Sequence, residues 1–172
     1  MPEFIPVLAR AEIDKSVAEV AARISSDYHD KELVLIGALK GAFVFLSDLI
    51  RQLSIDVRID FVGASSYGSQ TSSSGKIRLT KDIDIDISNK HVLIVEDIVD
   101  TGWTLAYLIK YVQSFDPQSV KVCTLIDKRE RRKAPIDVDY ACHVVEQGFL
   151  VGYGLDYNES YRNLPGIYHM KL

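Results

Sequence analysis

Residues 92–105 read Val-Leu-Ile-Val-Glu-Asp-Ile-Val-Asp-Thr-Gly-Trp-Thr-Leu, and this run leaves the chain few options. The unbroken apolar stretch Val92 to Val95 predicts a strand buried on both faces, as in a parallel sheet. The acids Glu96, Asp97 and Asp100 follow, and Thr101-Gly102-Trp103-Thr104 then opens an amphipathic helix with Leu105, Leu108, Ile109 and Val112 on one face. A strand turning directly into a helix sets carboxylates, which accept from sugar hydroxyls or hold a cation, beside amides suited to phosphate. Asp100 or Thr101 can cap the helix, the Thr101 and Thr104 hydroxyls add donors, and Gly102 clears the close approach. Helix caps far outnumber phosphate sites. The adjacent acids Glu96 and Asp97 carry the argument further, because they repel each other unless something cationic or hydroxylated lies between them. A phosphorylated sugar supplies partners for both halves of the run.

The surrounding pattern alternates strand and helix. Ile13, Val17, Val20, Ala21 and Ile24 recur at helical spacing over residues 12–26. Leu33 to Ile36 reads as a strand, Phe43 to Leu53 as a helix, and Ile55 to Ala64 as a strand. Val120 to Ile126 and Phe149 to Tyr153 complete the strands. The expected fold is α/β: a mostly parallel twisted sheet flanked by helices. Residues 83–87 alternate Ile and Asp, which fits a strand or an exposed loop equally. Residues 65–75, Ser-Ser-Tyr-Gly-Ser-Gln-Thr-Ser-Ser-Ser-Gly, are too polar to pack and too long for a tight turn, so a flexible loop is expected. With 172 residues and no linker, the chain reads as a single domain over 1–172.

A net charge of −4 argues against broad nucleic-acid binding. The basic run from Lys128 to Lys133 is a local exception, and Arg129, Arg131, Arg132 and Lys133 read as a solvated face. Cys123 and Cys142 lack metal-ligand spacing and read as reduced thiols, and the four histidines show no ligand pattern. With no signal-like N-terminus and no apolar run of spanning length, the expectation is a cytoplasmic protein without membrane attachment.

Further motifs fall in order along the chain: Leu39-Lys40-Gly41, Ser66-Tyr67, Lys128 after Leu125-Ile126-Asp127, Phe149 through Asp156-Tyr157, and Tyr161-Arg162-Asn163-Leu164-Pro165. With residues 92–105 they resemble the type I phosphoribosyltransferases, and within these the hypoxanthine–guanine group. The resemblance spans about residue 35 to the C-terminus. It implies a hood built from terminal segments and a flexible active-site loop over the sheet. It also implies a purine salvage reaction, in which hypoxanthine or guanine displaces pyrophosphate from phosphoribosyl pyrophosphate (PRPP) with Mg2+, giving IMP or GMP. Homo-oligomers, a homodimer or a homotetramer, are implied as well.

By the same resemblance, Glu96 and Asp97 hold the ribose hydroxyls and Mg2+, and Thr101, Gly102, Trp103 and Thr104 cradle the 5′-phosphate. Leu39, Lys40 and Gly41 bind pyrophosphate across a cis peptide, with Arg162 as a second contact. Asp100 is the acid–base group at purine N7. Lys128 selects the 6-oxo group, since an ammonium carries only donors. Phe149 alone would read as core, but in its motif it stacks on the base. The Leu150 backbone meets the purine edge, and Asp156 ligates a second Mg2+. Ser66 and Tyr67 form the closing face of the lid, with Gly68 and Gly75 flexible at its ends. Trp103 departs from the family pattern, which commonly has a smaller or cationic residue there. Gly148 and Ala42 depart from it too, standing where some relatives carry lysine and a second glycine.

Overall fold

The computed structural model describes residues 1–67 and 76–171. In chain order the elements are β1 (Glu3–Leu8), α1 (Arg10–Asp27), β2 (Leu33–Leu39), α2 (Ala42–Ile50), β3 (Val57–Tyr67) and β4 (Lys76–Lys81). There follow β5 (His91–Val99), α3 (Trp103–Gln113), β6 (Ser119–Lys128), β7 (Tyr140–Val145), β8 (Leu150–Val151) and β9 (Ile167–Lys171).

The main sheet has six strands in the order β4-β3-β2-β5-β6-β7. All its pairings are parallel except β3 with β4. Strand order runs outward in opposite directions from β2 and β5, so the crevice at their C-terminal ends is where an open parallel sheet receives a ligand. The uninterrupted apolar run of β5 follows from this central place. Leu93 and Val95 face the cluster formed with α1 and α2, while Val92 and Ile94 face the cluster under α3. Helix α1 buries Ile13, Val17, Val20, Ala21 and Ile24 as expected from their spacing. Its first turn is held by the Glu12 carboxylate, which accepts from the Ala9 amide at 2.7 Å. Ala9 has no side-chain acceptor to return the bond.

A second sheet of order β1-β9-β8 joins the two terminal strands, and the loop after β8 brings Asp156 and Arg162 to the crevice of the main sheet. Three elements have weaker signatures than the central strands. β1 contains Pro6 and has an irregular register beside it, which fits an edge strand. β4 and β7 close the two edges of the main sheet. Of the strand expected over 149–153, only Leu150–Val151 is a ladder strand, because Gly152, Tyr153 and Gly154 all take positive φ and turn the chain. That turn is pinned to α2, where the Tyr153 hydroxyl donates to Asp48.

One expectation is corrected, and one left open is decided. β3 continues through Ser65, Ser66 and Tyr67, which pair with Arg78, Ile77 and Lys76. The proposed loop therefore loses its first residues to the sheet, and its remainder, 68–75 with Gly68 and Gly75, lies outside the described residues. Residues 83–87 form no strand, although Ile83 and Ile87 are buried under α3. Their amides find a side chain instead of a ladder. The buried Asp60 carboxylate accepts from the Asp84 and Ile85 amides at 2.7 and 3.2 Å, from the Phe61 amide at 2.7 Å, and from Lys81 Nζ at 3.2 Å.

Burial alone would raise the Asp60 pKa, but the amides of Asp84, Phe61 and Ile85 and the ammonium of Lys81 outweigh it and hold it below its ordinary value. A depressed folded-state pKa contributes stability above the unfolded value, and that contribution is lost as pH falls through the folded one. Asp60→Asn should therefore destabilise the protein by about 1–3 kcal/mol at neutral pH. The difference from wild type should shrink below about pH 4. Urea denaturation of both proteins across this range checks it; a difference independent of pH would exclude the ionised carboxylate as the cause.

Candidate active site

The crevice between β2 and β5 gathers eight of the residues singled out from the sequence. Leu39, Lys40 and Gly41 at the end of β2, Glu96 and Asp97 of β5, Thr104 of α3, and Asp156 and Arg162 from the loop after β8 line one cleft of about 210 Å³. The Leu39–Lys40 peptide is cis, as the resemblance implies. Gly41 is confined: a Cβ there would lie 1.7 Å from Asp97 Oδ2. Gly154 faces it from the other side, and a Cβ on Gly154 would come within 2.2 Å of the Gly41 carbonyl oxygen. The Gly41 backbone is thus pressed between the Asp97 carboxylate and the Gly154 backbone, an approach that glycines permit.

An adjoining cavity is lined by Glu96, Ile98, Val99, Asp100, Thr101, Gly102, Thr104 and Leu105. It opens at the start of α3. Neither Asp100 nor Thr101 caps that helix in the way expected from the sequence. The N-cap is Gly102, at φ +87°, and no side-chain bond caps the helix. Thr101 Oγ1 lies 3.5 Å from the Trp103 amide nitrogen, beyond good hydrogen-bond distance. The first amides of α3 thereby keep their donors for an anion.

The acids are electrostatically costly. Burial pushes the Glu96 carboxyl well above the usual carboxylate range, and the charge of Asp97 adds to the effect. Burial likewise raises Asp97 to about 6, against the opposing amide of Ile98 and guanidinium of Arg162. Two buried carboxylates side by side call for cations or hydroxyls. Among the described residues no group of three or more metal-ligating side chains converges. Glu96, Asp97 and Asp156 therefore form no closed cage, and an ion held here would draw its remaining ligands from substrate or water. That arrangement suits magnesium, a hard ion that binds through one or two carboxylates plus phosphate oxygens.

Asp100 and Lys128 come together at the ends of β5 and β6. Lys128 is buried, and its Nζ lies 3.8 Å from Asp100 Oδ2, too far for a hydrogen bond. Asp100 Oδ1, Trp103 Nε1 and Arg162 Nε are all buried without partners. Orphaned buried polar atoms are rare in a settled interior, and those of Arg162 in the first cleft and Asp100 in the adjoining cavity mark a place built for something else to bind. The remaining Arg162 nitrogens are engaged: Nη1 donates to the Gly154 carbonyl at 2.7 Å, and Nη2 lies 3.3 Å from Asp156 Oδ1. Phe149 is 48% exposed and meets Tyr157 edge to face, so it is presented at the rim rather than used as core. Leu150 is buried in β8. Ser66 is exposed on β3.

Some participants were not foreseen. Arg132, expected on a solvated face, instead has 19% of its side chain exposed and grips the ends of β5 and β6. Charge-run patterning cannot separate it from Arg131, which is 64% exposed. Glu159 bridges Lys40 at 2.8 Å and Arg162 at 3.2 Å. Gly154 was legible only as half of Gly152-Tyr153-Gly154.

The comparisons agree with this geometry. Residues 7–158 match the family model described as phosphoribosyl transferase domain. The hypoxanthine-guanine phosphoribosyltransferase of Bacillus subtilis is 44% identical over 161 residues, covering 94% of this chain and 89% of that protein. A crystal structure of a hypoxanthine-guanine phosphoribosyltransferase from Bacillus anthracis superposes with a TM-score of 0.93 at 42% identity, covering 100% of both chains. A hypoxanthine phosphoribosyltransferase from Trypanosoma cruzi, in a study of its oligomeric state and activity, superposes at 0.92 with 41% identity, covering 98% of this chain and 93% of that one.

The raised Asp97 pKa has a consequence for stability. Between about pH 4, the unfolded value, and 6, the folded protein binds the proton more tightly, so stability declines as pH rises through that window. Above it the ionised Asp97 imposes a constant penalty. Asp97→Asn should therefore stabilise the ligand-free protein at pH 8, by about 1–3 kcal/mol. The gain should vanish below about pH 4. Urea titrations without divalent cations check both; an equal effect at the two pH values would contradict the buried charge.

Proposed function

The chain belongs to the phosphoribosyltransferase family, and from that premise we propose that it transfers the 5-phosphoribosyl group of PRPP to hypoxanthine and guanine. The products are IMP or GMP and pyrophosphate. The observation that carries this reading is the convergence, at one reversal of strand order, of an uncapped helix N-terminus, a buried acid pair and a lysine-lined end of β6.

Each group then has a role. The amides and hydroxyls of Thr101 to Thr104 hold the 5′-phosphate, with Trp103 contributing its amide rather than a charge. Glu96 and Asp97 accept from the ribose hydroxyls. Leu39, Lys40 and Gly41 hold the pyrophosphate through their backbone, and Arg162 faces it with a fixed fork of donors. Mg2+ would be held by Glu96 and Asp97, and a second ion by Asp156, each together with substrate oxygens, and would offset charge on the departing pyrophosphate.

The purine enters between Phe149, whose exposed ring stacks on it, and Lys128, whose ammonium donates to the 6-oxygen. A 6-amino group offers no acceptor there, so adenine leaves a buried charge unpaired and is rejected. The Leu150 backbone meets the base edge. Asp100 exchanges a proton with N7 as the ribosyl C1–O bond breaks, assisting the nucleophile where positive character develops. Ser66 and Tyr67, at the end of β3, serve to keep water from the ribosyl cation. The protein acts in the cytoplasm as a homodimer or homotetramer.

An assay with PRPP, Mg2+ and a panel of hypoxanthine, guanine, xanthine and adenine, read as nucleotide by chromatography, tests this. Product is expected from hypoxanthine and guanine, with adenine disfavoured by about 10⁴-fold or more. If no 6-oxopurine is converted, the reading fails. Asp100→Ala should lower kcat by about 10²–10⁴-fold. Turnover untouched by that substitution would remove Asp100 from the chemistry.

A further inference from the structure

We propose that Arg132 is a positioning residue for the transfer, setting the separation between the Asp100 carboxylate and the Lys128 ammonium; this role rests on the function proposed above. The parallel ladder between β5 and β6 has its last pair at Val99 and Asp127. Asp100 and Lys128 are the next residues outward and are not paired with each other, although Lys128 still pairs with Val145 of β7. Arg132 takes over there. Its Nε donates to the Asp100 carbonyl at 3.0 Å, and its Nη2 donates to the Val99 carbonyl at 3.1 Å and lies 3.4 Å from that of Lys128.

The guanidinium is itself anchored. Nη2 pairs with the carboxylate of Asp127, which is 2% exposed and also meets Arg129 Nε at 2.9 Å. A carboxylate at that depth demands hydrogen-bonded cations, so breaking the pair leaves a buried charge uncompensated. The Lys133 and Ala134 amides, next along the chain, both donate to the Thr101 carbonyl, at 2.9 and 3.0 Å. A Cβ on Gly102 would come within 3.2 Å of Arg132 Cδ, so the side chain also packs against the phosphate turn.

Purine N7 and the 6-oxygen are neighbours on one edge of the base. The groups that address them, Asp100 and Lys128, must therefore keep one fixed spacing. A planar fork with several rigid donors can hold two carbonyls and a carboxylate together, whereas an ammonium on a flexible stem cannot.

Arg132→Lys keeps the positive charge but loses the fork. Purified Arg132→Lys should fold, by circular dichroism and melting, yet turn over hypoxanthine about 10²-fold more slowly. KM for PRPP should change by no more than about threefold, since the phosphate and ribose contacts are not the ones lost. Discrimination against adenine should fall by about tenfold as Lys128 loosens. If kcat per folded molecule and base discrimination match wild type, and only the melting temperature drops, the residue is merely structural and the proposal is overturned. Should Arg132→Lys not fold, Asp127→Asn decides. It should lose about tenfold in kcat together with some base discrimination, and unchanged values overturn the proposal equally. Wild type without product on any 6-oxopurine would sink the proposed function, whereas active wild type with unaffected variants sinks only the role of Arg132.

Discussion

The placement of β5 at the centre of a parallel sheet is the constraint from which the site follows. Parallel pairing with β2 on one side and β6 on the other buries both faces of the strand, so its first residues must be apolar. It also fixes where the strand can carry charge. Once the chain passes Val95, the neighbouring connections leave toward opposite edges, and the crevice they open is where Glu96 and Asp97 emerge. The same strand end sends the chain into α3, so the acid pair and the helix N-terminus lie a few residues apart with no further device.

The cleft is stabilised less by its own contacts than by what surrounds it. Buried acids with raised pKa values, a helix left uncapped by side chains and several polar atoms without partners all oppose folding locally. The two apolar layers, one under α1 and α2 and one under α3, offset those costs. Such a division between a stabilising core and a strained ligand site is what selection for function produces. The glycines at 41 and 154 belong to the same logic, since they let two backbone segments meet beside Asp97, Gly154 against Gly41 and Gly41 against the carboxylate, where side chains would collide.

The central strands, the three helices and the acid-to-helix run were legible because their signals are local. Apolar runs and helical spacing report burial directly, and the phosphate turn is contiguous in the chain. The peripheral strands were not legible. β1 and β9 pair across nearly the whole chain, and their half-exposed residues carry no alternation strong enough to announce a partner. Residues 83–87 show the converse: an alternating pattern without a ladder, because the Asp60 carboxylate satisfies the amides a neighbouring strand would have taken.

Within the site, residues such as Glu96, Asp97, Asp100 and Lys128 could be named from motif order. Arg132 could not, since adjacent basic residues look alike until the fold decides which one turns inward. The amino-acid sequence by itself determined the composition of the core, the order of its main elements and the chemistry at the end of β5, all of which depend on spacing along one segment. Tertiary structure alone decided that Gly154 backs onto Gly41, that Arg132 spans two strand ends, and that Lys128 stands beside Asp100. Those relations join residues far apart in the chain, and only the packing of the sheet and its loops sets their distances.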